Sequence, residues 1–186
     1  MERETREIKD SKVLAAMAHP VRRRLMDVLR VNGPSTVSAL AEYTGQAVGN
    51  ISHHLKVLAE CELVEEAPEL ARDRRERWWR RVPGRLRWSA QDFPDDPIFY
   101  AASSLNLEHA MNIARSGLEN WESYPEEWKG APFSTDTWID LSAAELKELS
   151  AEVIALFNRW SDRDVPDDEQ ERKPVFLFAF GTPGRP

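Results

Sequence analysis

GQAVGNISHHLKVLAECELV, residues 45–64, is followed within a few positions by ARDRRERWWRRV, residues 71–82. In the first run Val48, Ile51, Leu55 and Leu58 recur at i, i+3, i+7 and i+10. That spacing predicts an amphipathic helix over roughly 47–60 with one buried stripe. The opposite face carries Gln46, Gly49, Asn50, His53 and Lys56, with Ala47 and Ser52 at its edges. Asn and Gln pair with adenine edges, Ser bonds to base or phosphate, and small Gly and Ala permit close approach. Lys56 suits a phosphate. The second run reads as a basic hairpin, with Trp78 and Trp79 at alternating positions that send one ring inward and one outward.

Working toward the N-terminus, DSKVLAAMA (10–18) predicts a short helix, interrupted at His19-Pro20. Proline is tolerated in a first helical turn, and Val21, Leu25, Val28 and Leu29 then continue a helix to about Val31, ended by Asn32-Gly33-Pro34. Ser35 or Thr36 caps the next helix, whose Val37, Leu40 and Ala41 face inward before the turn at Thr44-Gly45. Short helix, turn, reading helix and basic hairpin, in that order, describe a winged helix-turn-helix, in which one helix enters the major groove of double-stranded DNA while the hairpin grips phosphate.

The whole chain of 186 residues carries a formal charge of −7, which by itself argues against nucleic acid. The distribution reverses that impression. Residues 1–90 hold 17 Lys and Arg against 13 Asp and Glu, whereas residues 91–186 hold 8 against 19. Phosphate responds to the local patch rather than to the average, so the first half is expected to touch DNA and the second is not. Within Arg72–Arg87 eight arginines face only Asp73 and Glu76. The lone Cys61 excludes an internal disulfide and a cysteine-based zinc site within one chain. The first ten residues, MERETREIKD, lack the apolar core of a signal peptide, and no apolar run suits a bilayer span, so the expected setting is cytoplasmic, away from membranes.

AHPVRRRLMDVL, then ALAEYTG, then NISHHLKVLAECELV resembles the ArsR (arsenic-repressor-like) family of bacterial winged-helix regulators over about residues 10–82. The resemblance implies a homodimer that binds a palindromic operator and usually represses. It implies DNA reading by Ser52, His53 and the residues before them, and wing contacts from Arg72, Arg74, Arg75 and Arg77. Family members that sense metals use cysteines in the helix before the recognition helix, and the corresponding STVSALAEYT has none. A second family metal site uses Asp and His on a later helix. Here Asp95, Asp96, Glu108 and His109 offer a single imidazole, so a solvated face with one packed His is expected and a metal-responsive repressor is a minor alternative. His53 and His54 do not make a metal site either, since neighbours on a helix point about 100° apart. No metal site and no cofactor is expected.

Residues from about 95 to 121 predict a long helix whose apolar positions spread over more than one face. Such a helix needs two partners, one of them the same helix of another subunit, and Ile98, Ala102, Leu105 and Leu118 are the expected dimerisation residues. Further on, FSTDTWIDL (133–141) reads as a strand. Ser142 with Glu145 forms a capping box opening a helix to about Trp160, and PVFLFAFGTP (174–183) reads as a buried strand. The expected class is therefore α+β: a winged helix-turn-helix domain at 1–90, a long dimerisation helix within 91–124, and a small strand-helix-strand domain at 125–186 with an effector or interaction role. Its aromatics, Trp138, Trp160, Phe176, Phe178 and Phe180 among them, suit either a small-molecule effector pocket or a plain core.

No Gly-rich phosphate loop, nucleophile elbow or metalloprotease helix is present, and Cys61 between Glu60 and Glu62 is poorly placed to be a thiolate, so no enzyme is expected. Two classes of function remain, a DNA-binding regulator and a protein-interaction module using the winged helix as a docking scaffold. The polar and basic residues on the reading face favour the first.

Overall fold

Asp10 accepts a hydrogen bond from the Lys12 amide and opens α1 (Ser11–Ala18) in a computed structural model that describes residues 4–73 and 76–185. His19 ends that helix, and Pro20 starts α2 (Pro20–Val31). A two-residue strand β2 (Ser35–Thr36) leads into α3 (Val37–Thr44), whose Ala39 amide is capped by the Thr36 hydroxyl. Ahead of all of these, residues 5–7 form β1 (Thr5–Glu7). After the turn comes α4 (Val48–Glu60), then β3 (Val64–Glu66), β4 (Trp78–Arg81), β5 (Arg85–Arg87) and the long α5 (Pro97–Glu119). A short α6 (Glu126–Lys129) and α7 (Ala143–Ser161) follow. Mixed helix and sheet, with a winged helix-turn-helix at the front, is the α+β arrangement expected.

The backbone divides into two compact units, residues 1–111 and 112–186, with the division falling inside α5. The core of the first unit is built from one face of each helix. Leu14 of α1, Leu25 and Leu29 of α2, Leu40 of α3, and Ile51, Leu55 and Leu58 of α4 are all buried, joined by Val64 and Trp79 from the wing strands. Each such side chain contributes about 1.5–3 kcal/mol by leaving water, which fixes the helix faces far more firmly than propensity does. α5 adds Phe99, Ala102 and Ala110 to the buried set, and Phe93 stacks on Phe99 with centroids 5.2 Å apart. Asp96 accepts from the Ile98 and Phe99 amides at the start of that helix.

The sheet topology differs from a simple hairpin of arginines. β4 is the middle strand of three, antiparallel to both β2 and β3, with Ser35 opposite Trp79 and Glu65 opposite Arg80. β5 instead pairs in parallel with β1, Thr5 opposite Arg85 and Glu7 opposite Arg87. Gly84 makes that pairing possible: its φ is +125°, and a Cβ there would lie 2.9 Å from the Glu4 carbonyl oxygen. Ile8, at the end of the arm, is buried, and its amide donates to the Arg87 carbonyl at 2.8 Å.

In the second unit the capping box is as expected, with the Ser142 amide donating to Glu145 Oε2 at 2.7 Å and the Glu145 amide to Ser142 Oγ at 3.3 Å. The two strands expected at 133–141 and 174–183 are not strands; neither segment has regular structure. A strand exists only through hydrogen bonds to a neighbour, and no ladder joins these two runs among the described residues. No described residue of 112–185 is buried, and Phe133, Trp138 and Phe180 are among its exposed aromatics. No helix among the described residues is long and apolar enough to cross a membrane.

Candidate nucleic-acid interface

The turn between α3 and α4 is set by Gly45, in the left-handed region at φ +65°. Its amide and that of Gln46 return to the carbonyls at the end of α3, the Gln46 bond to Ala41 being 3.0 Å. The Thr44 hydroxyl donates to the Leu40 carbonyl at 2.6 Å, and Arg24 of α2 reaches the Tyr43 carbonyl at 3.0 Å. The end of α3 and the turn that leads into α4 are thereby tied down. At its far end α4 closes on Glu62, at φ +54°, with the Leu63 amide donating to the Leu58 carbonyl. Arg6 of the N-terminal arm donates to the Cys61 and Glu62 carbonyls at 3.0 and 3.1 Å and pairs with the Glu62 carboxylate. Nothing in the sequence points to Arg6, because residues 1–9 carry no periodic signal.

Along α4 the buried stripe is Ile51, His54, Leu55 and Leu58. Val48, expected in that stripe, is half exposed at 50%, because the helix begins beyond the edge of the core and its first turn projects from it. Gln46, Ala47, Gly49, Asn50, His53 and Lys56 are all exposed, and Ser52 is half-buried. The face expected to read DNA is thus one continuous surface on and just before one helix. Asn50 Nδ2 donates to Gln46 Oε1 at 2.8 Å, so the two amides stand as a pair. The Ser52 hydroxyl turns back on the Val48 carbonyl at 2.9 Å. Ala47 provides no side-chain cap, which leaves the first amides of α4 open to an external acceptor such as phosphate.

His54 packs beneath this face against His19, with ring centroids 4.7 Å apart, while His53 lies outside. Burial first, then the positive charge of Arg22, pulls the His19 imidazole below its usual range; burial, His19 and Arg22 do the same to His54. Burial pushes the Cys61 thiol up, with Glu60 and Asp10 adding to the effect. Among the described residues no group of three or more His, Cys, Asp or Glu side chains converges as metal ligands. His109 instead bonds Asp27 of α2 through Nε2 at 2.7 Å.

The wing is the β3–β4 hairpin, and its tip spans the residues between Glu66 and Trp78. Arg72 and Arg77 are exposed there; Arg74 and Arg75, equally expected at the wing, lie outside the described residues. Glu76 accepts from the Arg72 amide at 2.9 Å, and that bond, with one to Trp78, holds its carboxyl below the usual range. Arg77 is loosely paired with Glu66 at 4.0 Å. Arg80 is committed: its Nε meets Glu65 at 2.7 Å and its Nη1 meets Glu69. Trp79 is buried and Trp78 is half-buried, the alternation expected of a strand. On α5 the residues expected at a subunit contact divide. Ile98, Leu105 and Leu118 are exposed, but Ala102 is turned into the core beside Phe99 and is not offered to a partner.

A helix pair with a fixed turn, an exposed polar reading face and an adjoining two-stranded wing defines a winged helix-turn-helix protein. Residues 19–66, about a quarter of the chain, match the family model described as bacterial regulatory protein, arsR family. Residues 19–66 therefore carry a helix-turn-helix of the ArsR type. A solved structure of an apo-form mutant of Lactococcus lactis ZitR is similar at 16% identity over 75% of this chain and 80% of that one. Its TM-score is 0.32, too low for the likeness to bear on the assignment. No curated protein matches.

Proposed function

We propose that this chain is a cytoplasmic, sequence-specific repressor that occupies a palindromic operator as a homodimer, with a non-metal or unidentified effector. The observation that carries the reading is the α4 surface. Gln46, Gly49, Asn50, His53 and Lys56 are exposed together on a helix whose other face is locked into the core, inside the segment that matches the regulator family. Adenine-pairing amides, a close-approach glycine and a phosphate-seeking cation are what a major-groove reader requires. Residues 1–90 would bind DNA, 91–124 would dimerise and 125–186 would take the effector or a partner. Exposed Ile98 and Leu105 on α5 support self-association.

The test is selection of bound sites from a random DNA pool with the purified chain, run beside sedimentation at the same concentration. An inverted repeat recovered by a dimer, and a promoter carrying that repeat silenced in a transcription reaction, are the expected results. Recovery of no motif, with only weak salt-sensitive binding by a dimer, would leave the winged helix as a protein-docking scaffold.

A further inference from the structure

Val48 is the one apolar side chain of α4 that the fold leaves exposed. Ile51, Leu55 and Leu58 are fully buried at 0% exposure, yet Val48 stands at 50% on the first turn of the same helix. Its surroundings on that surface are specific. A Cβ built on Gly49 would meet nothing within 4 Å, so the backbone beside Val48 is open to a close-lying surface. One turn further on, the Ser52 hydroxyl donates its proton to the Val48 carbonyl, so that donor is not offered to a partner beside Val48. On its flank the Asn50–Gln46 bond uses one amide donor and one carbonyl internally. The Asn50 carbonyl and the Gln46 amide nitrogen remain to face a partner.

We propose that Val48 is a specificity-determining residue that packs its methyl groups on the C5 methyl of a thymine in the major groove. The inference rests on the reading of α4 as the recognition helix. The chemistry of one base pair fits both parts of the surface. An A·T pair shows the N7 acceptor and N6 donor of adenine, which an amide donor and carbonyl acceptor match, and beside them the only methyl group in the groove. A G·C pair in its place lacks the methyl that Val48 would cover and sets the guanine O6 acceptor against the Asn50 carbonyl, where adenine offers its N6 donor.

Replacing thymine by deoxyuracil removes that methyl and leaves every hydrogen-bonding group in place. In the site recovered by selection, each thymine would be replaced in turn and titrated with the full-length chain and with its V48A variant. The wild-type chain is expected to lose about three- to fivefold in affinity at one thymine position, the scale of a buried methylene-sized contact. The V48A variant is expected to bind the thymine and deoxyuracil sites equally. Val48 is exposed, so an unchanged melting temperature will show that V48A is folded. A recovered site at which no thymine matters, or at which V48A discriminates as strongly as the wild type, overturns this inference while leaving the regulator intact. Failure to recover any site overturns the regulator reading and Val48's part in it together.

Discussion

A histidine sits on the buried face of α4, and its surroundings predict an acid-sensitive domain. His54 lies between Ile51 and Leu58 on the buried stripe, its ring tilted against that of His19, and the Nδ1 atoms of both rings are buried without a hydrogen-bond partner among the described residues. Around them stand Arg22 on α2 and His53 on α4, with Cys61 near Arg22. Both imidazoles are held below their ordinary value near 6.5, so the folded state resists protonation more than the unfolded state does. Stability from this pair is complete above about pH 6.5 and drains away as the pH falls below it toward the folded-state values. Thermal melts should therefore show a falling midpoint between about pH 7.5 and pH 5, with a shallower fall in H54Q. Equal slopes in the two proteins would remove His54 as the cause. At this scale the sequence is legible in part. The face carrying Gln46, Asn50, His53 and Lys56 follows from the helical period, because that period is local. Val48 is misplaced by the same period, because where a core ends depends on neighbouring elements that the period does not report.

Among the elements, the wing separates arginines available to phosphate from those tied into the fold. Arg72 and Arg77 are exposed near the tip, Arg77 only loosely paired, whereas Arg80 is gripped by Glu65 and Glu69. The double variant R72A/R77A should reduce the salt slope of DNA binding by about 2 per subunit, and so by about 4 for a bound dimer, at roughly 0.9 for each phosphate that is no longer neutralised. R80A should leave the slope unchanged while lowering the melting midpoint. Titrations at several salt concentrations decide this, and an R80A slope that falls as far as that of the double variant would refute the division. The helices α1, α3 and α7 are readable because their caps, Asp10, Thr36, Gly45 and Ser142, act within a few residues of the bonds they satisfy, and α2 and α4 because Pro20 and the apolar period are equally local. Strands are not. Apolar composition marks 133–141 and 174–183, but a strand is decided by a distant neighbour, as the arm β1 shows in the opposite sense by pairing without any local pattern to announce it.

For the molecule as a whole, the two units differ in what holds them. The first owns every buried residue among those described, while 112–185 has none and exposes Phe133, Trp138, Ile154, Trp160 and Phe180. A segment without buried apolar contacts opens at little cost, and proteases act on such openings. Brief trypsin treatment at low protein concentration should cut at Lys129, Lys147 or Arg159 and, in the first unit, only at exposed Arg72 or Arg77, leaving the chain from α1 through α4 intact, as mass spectrometry of the fragments will reveal. Protection of those three sites at concentrations where the protein sediments as a dimer would tie the second unit to assembly. Persistence of the intact chain in the monomer would show that 112–186 has a stability its packing does not explain.

The parallel pairing of β1 with β5 joins residues about 80 positions apart, and so sets an order of events during synthesis. Helices α1 to α4 meet partners made shortly before or after themselves. The arm, synthesised ahead of them all, waits without a strand to join until Arg85–Arg87 has left the ribosome. Any chain stopped before that point carries a complete reading helix whose C-terminal carbonyls are reached by an arm with no ladder to hold it.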